Sequence, residues 1–402
     1  MKKLLFGAFA LMAAVSFVSC DSNDDPVGTG DKPGSSISKD RFLQYAEGVA
    51  YDLKETTKNL SESWEVANGN YVTEFTTIGK KYDNQQAALM EIVAGITTIA
   101  TEVSGEKIGV PYKDKDVYGV ESWYSFNSWT DYRDNIFSIQ NSFYGKVLTQ
   151  DATSRASLTS AAADANSLYT YLLNAGDNQQ AEKANAVNDA INAAIAKLNQ
   201  FVAGSKPFRD YVYEYAKGGA ESSDVKESMA LIDEIITTFE ELKFEASTDD
   251  AQEVINTYAN QVVLPTYAAL KSKGAALYDA VKKFVNDPTQ ANIEAAATAW
   301  VAARVPWEQS EAFLFGPVDT EGYDPRLDSW PLAQLNINII LLSDKALPSF
   351  AVMGDEFGDE VIGFHTMEYI LFKNGAPRKV SELFKGDKVV IEATNEMEVP
   401  GK

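Results

Sequence analysis

The sequence predicts an all-α protein built from two helical-bundle domains. Three observations carry this. Apolar residues recur at three- and four-residue steps over most of the chain after Lys39. In DRFLQYAEGVAYDLKETTKNLSESW, for example, Phe42, Tyr45, Val49 and Leu53 are separated by polar and charged positions. Alanine is abundant, and long β-branched alternations are absent. A composition shift at FEASTDD, around residues 244–250, falls between two helical stretches and divides the chain.

The first element is a targeting segment. Lys2 and Lys3 precede an apolar run from Leu4 to Val18, too short to span a bilayer. FVSC follows and ends in Cys20, the only cysteine, so no disulfide forms within the chain. The pattern resembles a bacterial lipoprotein signal, with Phe17 an imperfect lipobox residue. A signal peptide is expected over 1–19, lipid modification at Cys20, and a flexible tether over 20–38 rich in Gly, Ser, Pro and Asp. The expected location is the outer membrane, periplasm-facing or cell-surface, with the membrane reached through the lipid anchor. Past the tether, no segment is expected to be long and apolar enough to cross a membrane.

The next stretches in order are helical. NQQAALMEIVAGITTIATEV, NAVNDAINAAIAKLNQFV and ESMALIDEIITTFEELKF repeat the behaviour of the first. Between them, YKDKDVYGVESWYSFNSWTDYRDN is expected to be a long aromatic-rich connection, and KGGAESSD (217–224) a loop. NDPTQANIEAAATAWVAAR starts a helix, with Asp287 expected as N-cap, Pro288 at N1 and Gln290 at N3. The two domains are expected at 39–247 and 250–378, with a tail over 379–402.

The charge balance is −23. Such a surface repels nucleic acid and is compatible with a cationic ligand. The chemistry concentrates in VIGFHTMEYILF, which holds the only histidine, His365. On a helix, His365 and Glu368 lie one turn apart on one face, and Gly363 lets another backbone come close. That helix is apolar almost all round and should be buried, so its imidazole and carboxylate need partners. A structural His–Glu pair in a bundle and a ligand or metal site both fit this pattern. A second cluster is WVAARVPWEQSEAFLFGP. If Pro306 bends rather than ends the helix, Trp300, Arg304, Glu308 and Glu311 follow three- and four-residue steps. DPRLDSWPL then places Asp324, Arg326, Asp328 and Trp330 in a loop.

RVPWEQSEAFLFGPV, DSWPL and GFHTMEYILF, in this order and spacing, resemble the imelysin family of bacterial envelope proteins. The family's G-x-H-x-x-E motif is complete as Gly363, His365 and Glu368. EIVAGITTIATEVSGEKIG and ESWYSFNSWTDYRDNIFSIQNSFYG resemble the family's other half. The halves stand in reversed order, as in a circular permutant. The resemblance then implies that the helix at Phe42 and Tyr45 meets the chain from His365 through Leu371 and Arg378 in space.

The ligand-binding residues expected are Arg304, Glu308, Glu311, Gly363, His365 and Glu368, with Ser125, Asn127 and Asn135 approaching from the other half. The family has been classed as metallopeptidases, and His365 and Glu368 are the catalytic candidates under that reading. A zincin site, however, needs two histidines and a third ligand, and this chain has one histidine. A metal would take His365, Glu368 and Glu308 or Glu311. Iron or another divalent metal such as manganese tolerates that oxygen-rich set. The resemblance extends to lipoproteins linked to iron uptake. The expected function is therefore an envelope lipoprotein binding a small-molecule or metal ligand between the domains, in company with other envelope proteins. A metal-dependent peptidase is the alternative. A glycan or protein adhesion module, using Trp123, Tyr124, Phe126 and Trp129, is the third reading.

Overall fold

Helix α1 (Lys39–Trp64) starts where Ser38 caps it, its Oγ accepting the Arg41 amide at 3.2 Å. The architecture shown is that of a computed structural model, which describes residues 36–244, 249–349 and 353–391. The expected signal peptide, Cys20 and most of the tether lie outside the described residues, as do residues 245–248 at the expected boundary. Further principal helices are α2 (Gln85–Thr101), α3 (Ser128–Tyr144), α4 (Asn178–Ala203), α5 (Ser223–Glu240), α6 (Asp249–Tyr258), α7 (Leu264–Asn286), α8 (Gln290–Glu308), α9 (Tyr323–Asp328) and α10 (Gly363–Leu371). The fold is all-α. Its strands are two short hairpins, Phe372–Lys373 with Ala376–Pro377 and Phe384–Lys385 with Lys388–Val389.

Packing sorts the helices into two groups. In one, α1 lies along α7, α7 along α8, and α10 closes against α1 and α8. The stripe of Phe42, Tyr45, Val49, Leu53 and Leu60 on α1 is buried, as are Tyr267, Leu270, Leu277 and Phe284 on α7. In the other, α2, α3, α4 and α5 pack together. Helix α3 touches both groups and is buried on nearly every side. Although α1 opens the chain, it packs with the helices of the 250–378 stretch. The Tyr45 hydroxyl donates to the Val361 carbonyl, and the Phe42 and Phe384 rings meet edge-on at 6.0 Å. The contact expected between the start of α1 and the histidine motif is present.

Three local expectations need correction. The aromatic-rich stretch is a loop only in its first part, because α3 begins at Ser128. Its helical period is masked in the sequence because both faces are buried and polar Ser138, Gln140, Asn141 and Ser142 share them with aromatics. Helix α8 starts at Gln290 with Thr289 as its N-cap residue, while Asp287 ends α7. Asp287 still serves the α8 start, since its Oδ2 accepts from Asn292 Nδ2 at 3.0 Å. Finally, α2 runs on through a π-helical segment, Glu102–Gly109, so Gln85–Asp114 is long and apolar enough to pass as a membrane span. Leu89, Ile92, Ile96, Ile99 and Val103 are buried against the other helices, which is the behaviour of a core helix.

Pro306 stays inside α8, which ends two residues later at Glu308. The turn Glu311–Phe313 then folds onto α2. Gly95 makes this approach possible, because a side chain there would press onto the Ala312 carbonyl. Gly95→Ala is expected to cost about 1–3 kcal/mol in a urea unfolding experiment, as overpacking at a rigid contact does.

Candidate functional site

Helix α10 has every residue buried. Gly363 opens it at φ 77°, and a Cβ there would stand 2.5 Å from the Leu327 carbonyl oxygen. Only glycine lets α10 lie this close to α9. That approach brings His365 to Asp328, the last residue of α9, with Nε2 and Oδ1 3.2 Å apart. The other ring nitrogen, Nδ1, is 3.3 Å from Glu368 Oε2. The Trp330 ring covers the imidazole, with centroids 4.8 Å apart.

Asp328 is shared. Arg304 pairs with its Oδ1, and Trp307 Nε1 donates to its Oδ2 at 2.6 Å. Arg304 also pairs with Glu308, one turn along α8, and lies 3.6 Å from Asp131 Oδ2. Helix α3 and the loop before it complete the other wall. Asn135 Nδ2 donates to Glu308 Oε2 at 2.6 Å. Asp131 accepts from Ser122 Oγ at 2.5 Å and Asn127 Nδ2 at 2.6 Å. Glu368 Oε1 accepts from the Tyr124 amide at 3.0 Å and from the Ser125 amide and hydroxyl, both at 2.7 Å. Just beyond, the Lys107 ammonium bridges Glu121 at 3.2 Å and Glu311 at 3.3 Å. The π-helical segment that carries Lys107 widens the turn at this point.

Burial and charge oppose each other throughout. Burial disfavours a charged imidazole, but Asp328 and then Glu368 outweigh it and lift His365 to about 9. Burial likewise pushes Asp328 up, yet Arg304 and His365 hold it well below the usual carboxylate range. Burial lifts Glu308 to about 8 against the pull of Arg304, lifts Asp131 to about 6, and raises Glu311 well above its ordinary value. The protonated form of His365 is therefore favoured, with both ring nitrogens facing carboxylates. A protonated ring has no lone pair for a metal.

The structure brings together Arg304, Glu308, Gly363, His365, Glu368, Ser125 and Asn135, while Asn127 acts one step back through Asp131. Glu311 faces Lys107. The carboxylates able to share one cation among the described residues are Glu308, Glu311 and Asp328, whose ligand oxygens lie within 4.8 Å of one another. Glu308 and Glu311 are common to that set and to the set expected from sequence, His365 and Glu368 with Glu308 or Glu311, while Asp328 takes the place of His365 and Glu368. The adhesion surface is not formed: Trp123, Tyr124 and Trp129 are buried, and Trp129 stacks on Phe201 at 4.0 Å. No sequence motif marks Asp131, Ser122 or Lys107, and Asp328, expected in a loop, is the last residue of α9. The available signal was an aspartate, Asp131, at a position that the flanking Trp129 and Tyr132 mark as buried. A cleft of about 570 Å³ opens beside the network, lined by Glu102, Lys107, Glu121, Glu311, Asp324 and Asp328 among others.

Because His365 is the only histidine, one imidazole spin system should titrate near pH 9 by NMR, far from an ordinary 6.5. Its folded pKa lies above the unfolded one, so its stabilising contribution is complete below about pH 6.5 and is lost as pH rises through about 9. Urea midpoints of the parent should fall over that window more than those of His365→Gln. A ring that titrates near 6.5 in the folded protein would contradict the paired geometry. Arg304→Met should cost about 3–5 kcal/mol by the same unfolding measurement, because it strands buried carboxylates.

Comparison with known proteins bears on the family. The structure resembles the crystal structure of an imelysin peptidase from Bacteroides ovatus, with a TM-score of 0.72 and 33% identity, over 85% of this chain and 96% of that one. Iron-regulated protein A of Synechococcus elongatus is 35% identical over 125 residues. That match covers 31% of this chain and 33% of the relative, so the chain spans about a third of the relative's length. The family profile described as Imelysin matches residues 23–241 and 263–395. With most of its length matched, the chain belongs to the imelysin family.

Proposed function

We propose that the protein is an envelope lipoprotein, anchored through Cys20, that captures an iron-related cation or cationic small ligand at the site between the two helical groups. The observation that carries this reading is the excess of buried carboxyls. Asp131, Glu308, Glu311, Asp328 and Glu368, with half-buried Glu121, find their ion-pair partners among the described residues in Lys107, Arg304 and His365. A network built only for stability gains little from such groups, since well-packed apolar residues of similar volume do as well or better. The surplus negative charge borders the acidic cleft, which is a suitable route for a cation. The name of the Synechococcus relative, an iron-regulated protein, supports the link to iron.

The residues present fit a hard cation. Glu308, Glu311 and Asp328 would hold it through oxygen, the donor type that suits iron or manganese. Such an ion would supply positive charge where Lys107 now provides it. His365 then acts from behind: it keeps Asp328 and Glu368 in place and leaves the cation to the carboxylates. The peptidase reading draws on the name of the Bacteroides neighbour. Its candidate residues are both engaged, because Glu368 Oε1 already accepts three hydrogen bonds and both His365 nitrogens face carboxylates. The reversed order of the two halves is, in our reading, a circular permutation, supported by the docking of α1 onto α10.

The test is calorimetric titration of the purified chain with ferrous, ferric and manganous ions, alongside a peptidase assay with and without chelator. Glu311→Gln, which should fold, is expected to weaken binding on the order of ten- to a hundredfold. His365→Gln should fold with reduced stability and also bind more weakly. Unchanged affinity in both variants would make the network purely structural, and chelator-sensitive peptide cleavage would restore the peptidase reading.

A further inference from the structure

The end of the molecule where α1 begins carries a surface that the binding site does not use. The helix Gln334–Leu342 buries Ile337, Ile340 and Leu341, while Leu335, Ile339 and Leu342 on its other face are 70%, 55% and 44% exposed. These positions fall at i, i+4 and i+7, one continuous stripe. No charged residue stands in this helix. Arg41 fixes it to the first turn of α1, with Nε and Nη2 donating to the Ile340 carbonyl at 2.9 and 2.6 Å and Nη1 to the Lys345 carbonyl at 2.6 Å.

The same turn receives the Phe384–Val389 hairpin. Lys39 N donates to the Asp387 carbonyl, Val389 N donates to the Ile37 carbonyl, and Ser38 bridges Lys388. Val390, beside it, is 53% exposed. Among the described residues, Lys39, Arg41, Lys345, Lys385 and Lys388 thus gather around the turn and outnumber Asp40, Asp344 and Asp387 there. That local balance is opposite to the chain's net −23.

The described residues begin here, at Ser36. A polar coil as long as residues 20–38 would span about 25 Å. The proposed anchor at Cys20, on which the inference rests, would keep this end near the lipid. We propose that this end is a lipid-docking face, with the Leu335–Ile339–Leu342 stripe entering the interface and the lysines meeting anionic headgroups. The anchor contributes only proximity, and the surface itself recognises the lipid.

The test uses the mature chain from residue 20 carrying Cys20→Ser, so that no acyl chain contributes. Flotation with vesicles of phosphatidylethanolamine and phosphatidylglycerol should retain it, and vesicles of phosphatidylcholine alone should retain less. The pair Leu335→Asp and Ile339→Asp should lower the bound fraction on the order of tenfold. The pair Lys345→Glu and Lys388→Glu should lower it and flatten its salt dependence. All of these variants should keep the parent's circular dichroism and cation titration, which separates failure here from failure of the binding site. Absent vesicle binding, or binding that ignores both pairs, would overturn the proposal. So would a concentration-dependent dimer that the aspartate pair abolishes, since a second copy would then be the occupant.

Discussion

The carboxylate of Asp328 is the constraint on which the rest of this site depends. Its side chain is nearly buried, accepts from Arg304 on α8 and Trp307 one turn later, and lies 3.2 Å from His365 Nε2 on α10. Three elements that are distant in sequence must therefore converge on one group. Gly363 lets α10 come close, and Pro306 still allows α8 to reach Glu308. A buried ion costs several kcal/mol in desolvation, so each partner must be in place for the others to be tolerated. This mutual dependence explains why the surrounding core is so dense in tryptophan. Trp300 Nε1 bonds the Phe364 carbonyl at 2.9 Å, which fixes α8 and α10 relative to each other before any charge is considered.

The second half of the site is held by backbone rather than by charge. Glu368 takes two of its three donors from the amides of Tyr124 and Ser125. The loop presenting them carries Ser122 at φ 50° and Phe126 at φ 64°, both in the left-handed region that such residues rarely occupy. Each such residue costs on the order of 1–3 kcal/mol and persists only where its surroundings fix it. Here they do. Arg209 lies over the Trp123 ring at 4.3 Å and the Phe126 ring at 3.9 Å, and Gly375 N bonds the Tyr124 carbonyl at 2.9 Å. Gly375 follows the histidine helix in the chain, so the loop and the carboxylate it serves are tied to the same segment.

Much of this was legible in the sequence, and the failures have physical causes. Helices with one apolar face, such as α1, are visible because solvent forces polar residues onto the other face. Helix α3 has no solvent face, so its period is hidden by buried polar residues that bond α8 and the 311–313 turn. The G-x-H-x-x-E pattern marked α10, and the i,i+4 spacing marked Arg304 with Glu308. Asp328 could be placed near these groups only once Gly363 set the distance between α9 and α10, which is a fact of packing. Lys107 carries no motif at all. Its role comes from the π-helical segment that turns it toward Glu121 and Glu311.

The single histidine is best understood as an internal cation with two ends. Its two ring donors point in different directions and span Asp328 and Glu368, whereas a lysine would bring one mobile point charge. Its flat ring also fits beneath Trp330, where a guanidinium would compete with Arg304 for Asp328. A second imidazole nearby would be repelled by the first and by Arg304. Of the carboxyls in this network, Glu311 and Asp328 line the acidic cleft, whereas Glu308 and Glu368 are fully buried. Burial raises the proton affinity of Glu308 and Glu311, so a cation captured there as proposed would have to displace protons. Glu311 and Asp328 join this internal network to the acidic cleft, which gives the proposed site its direction.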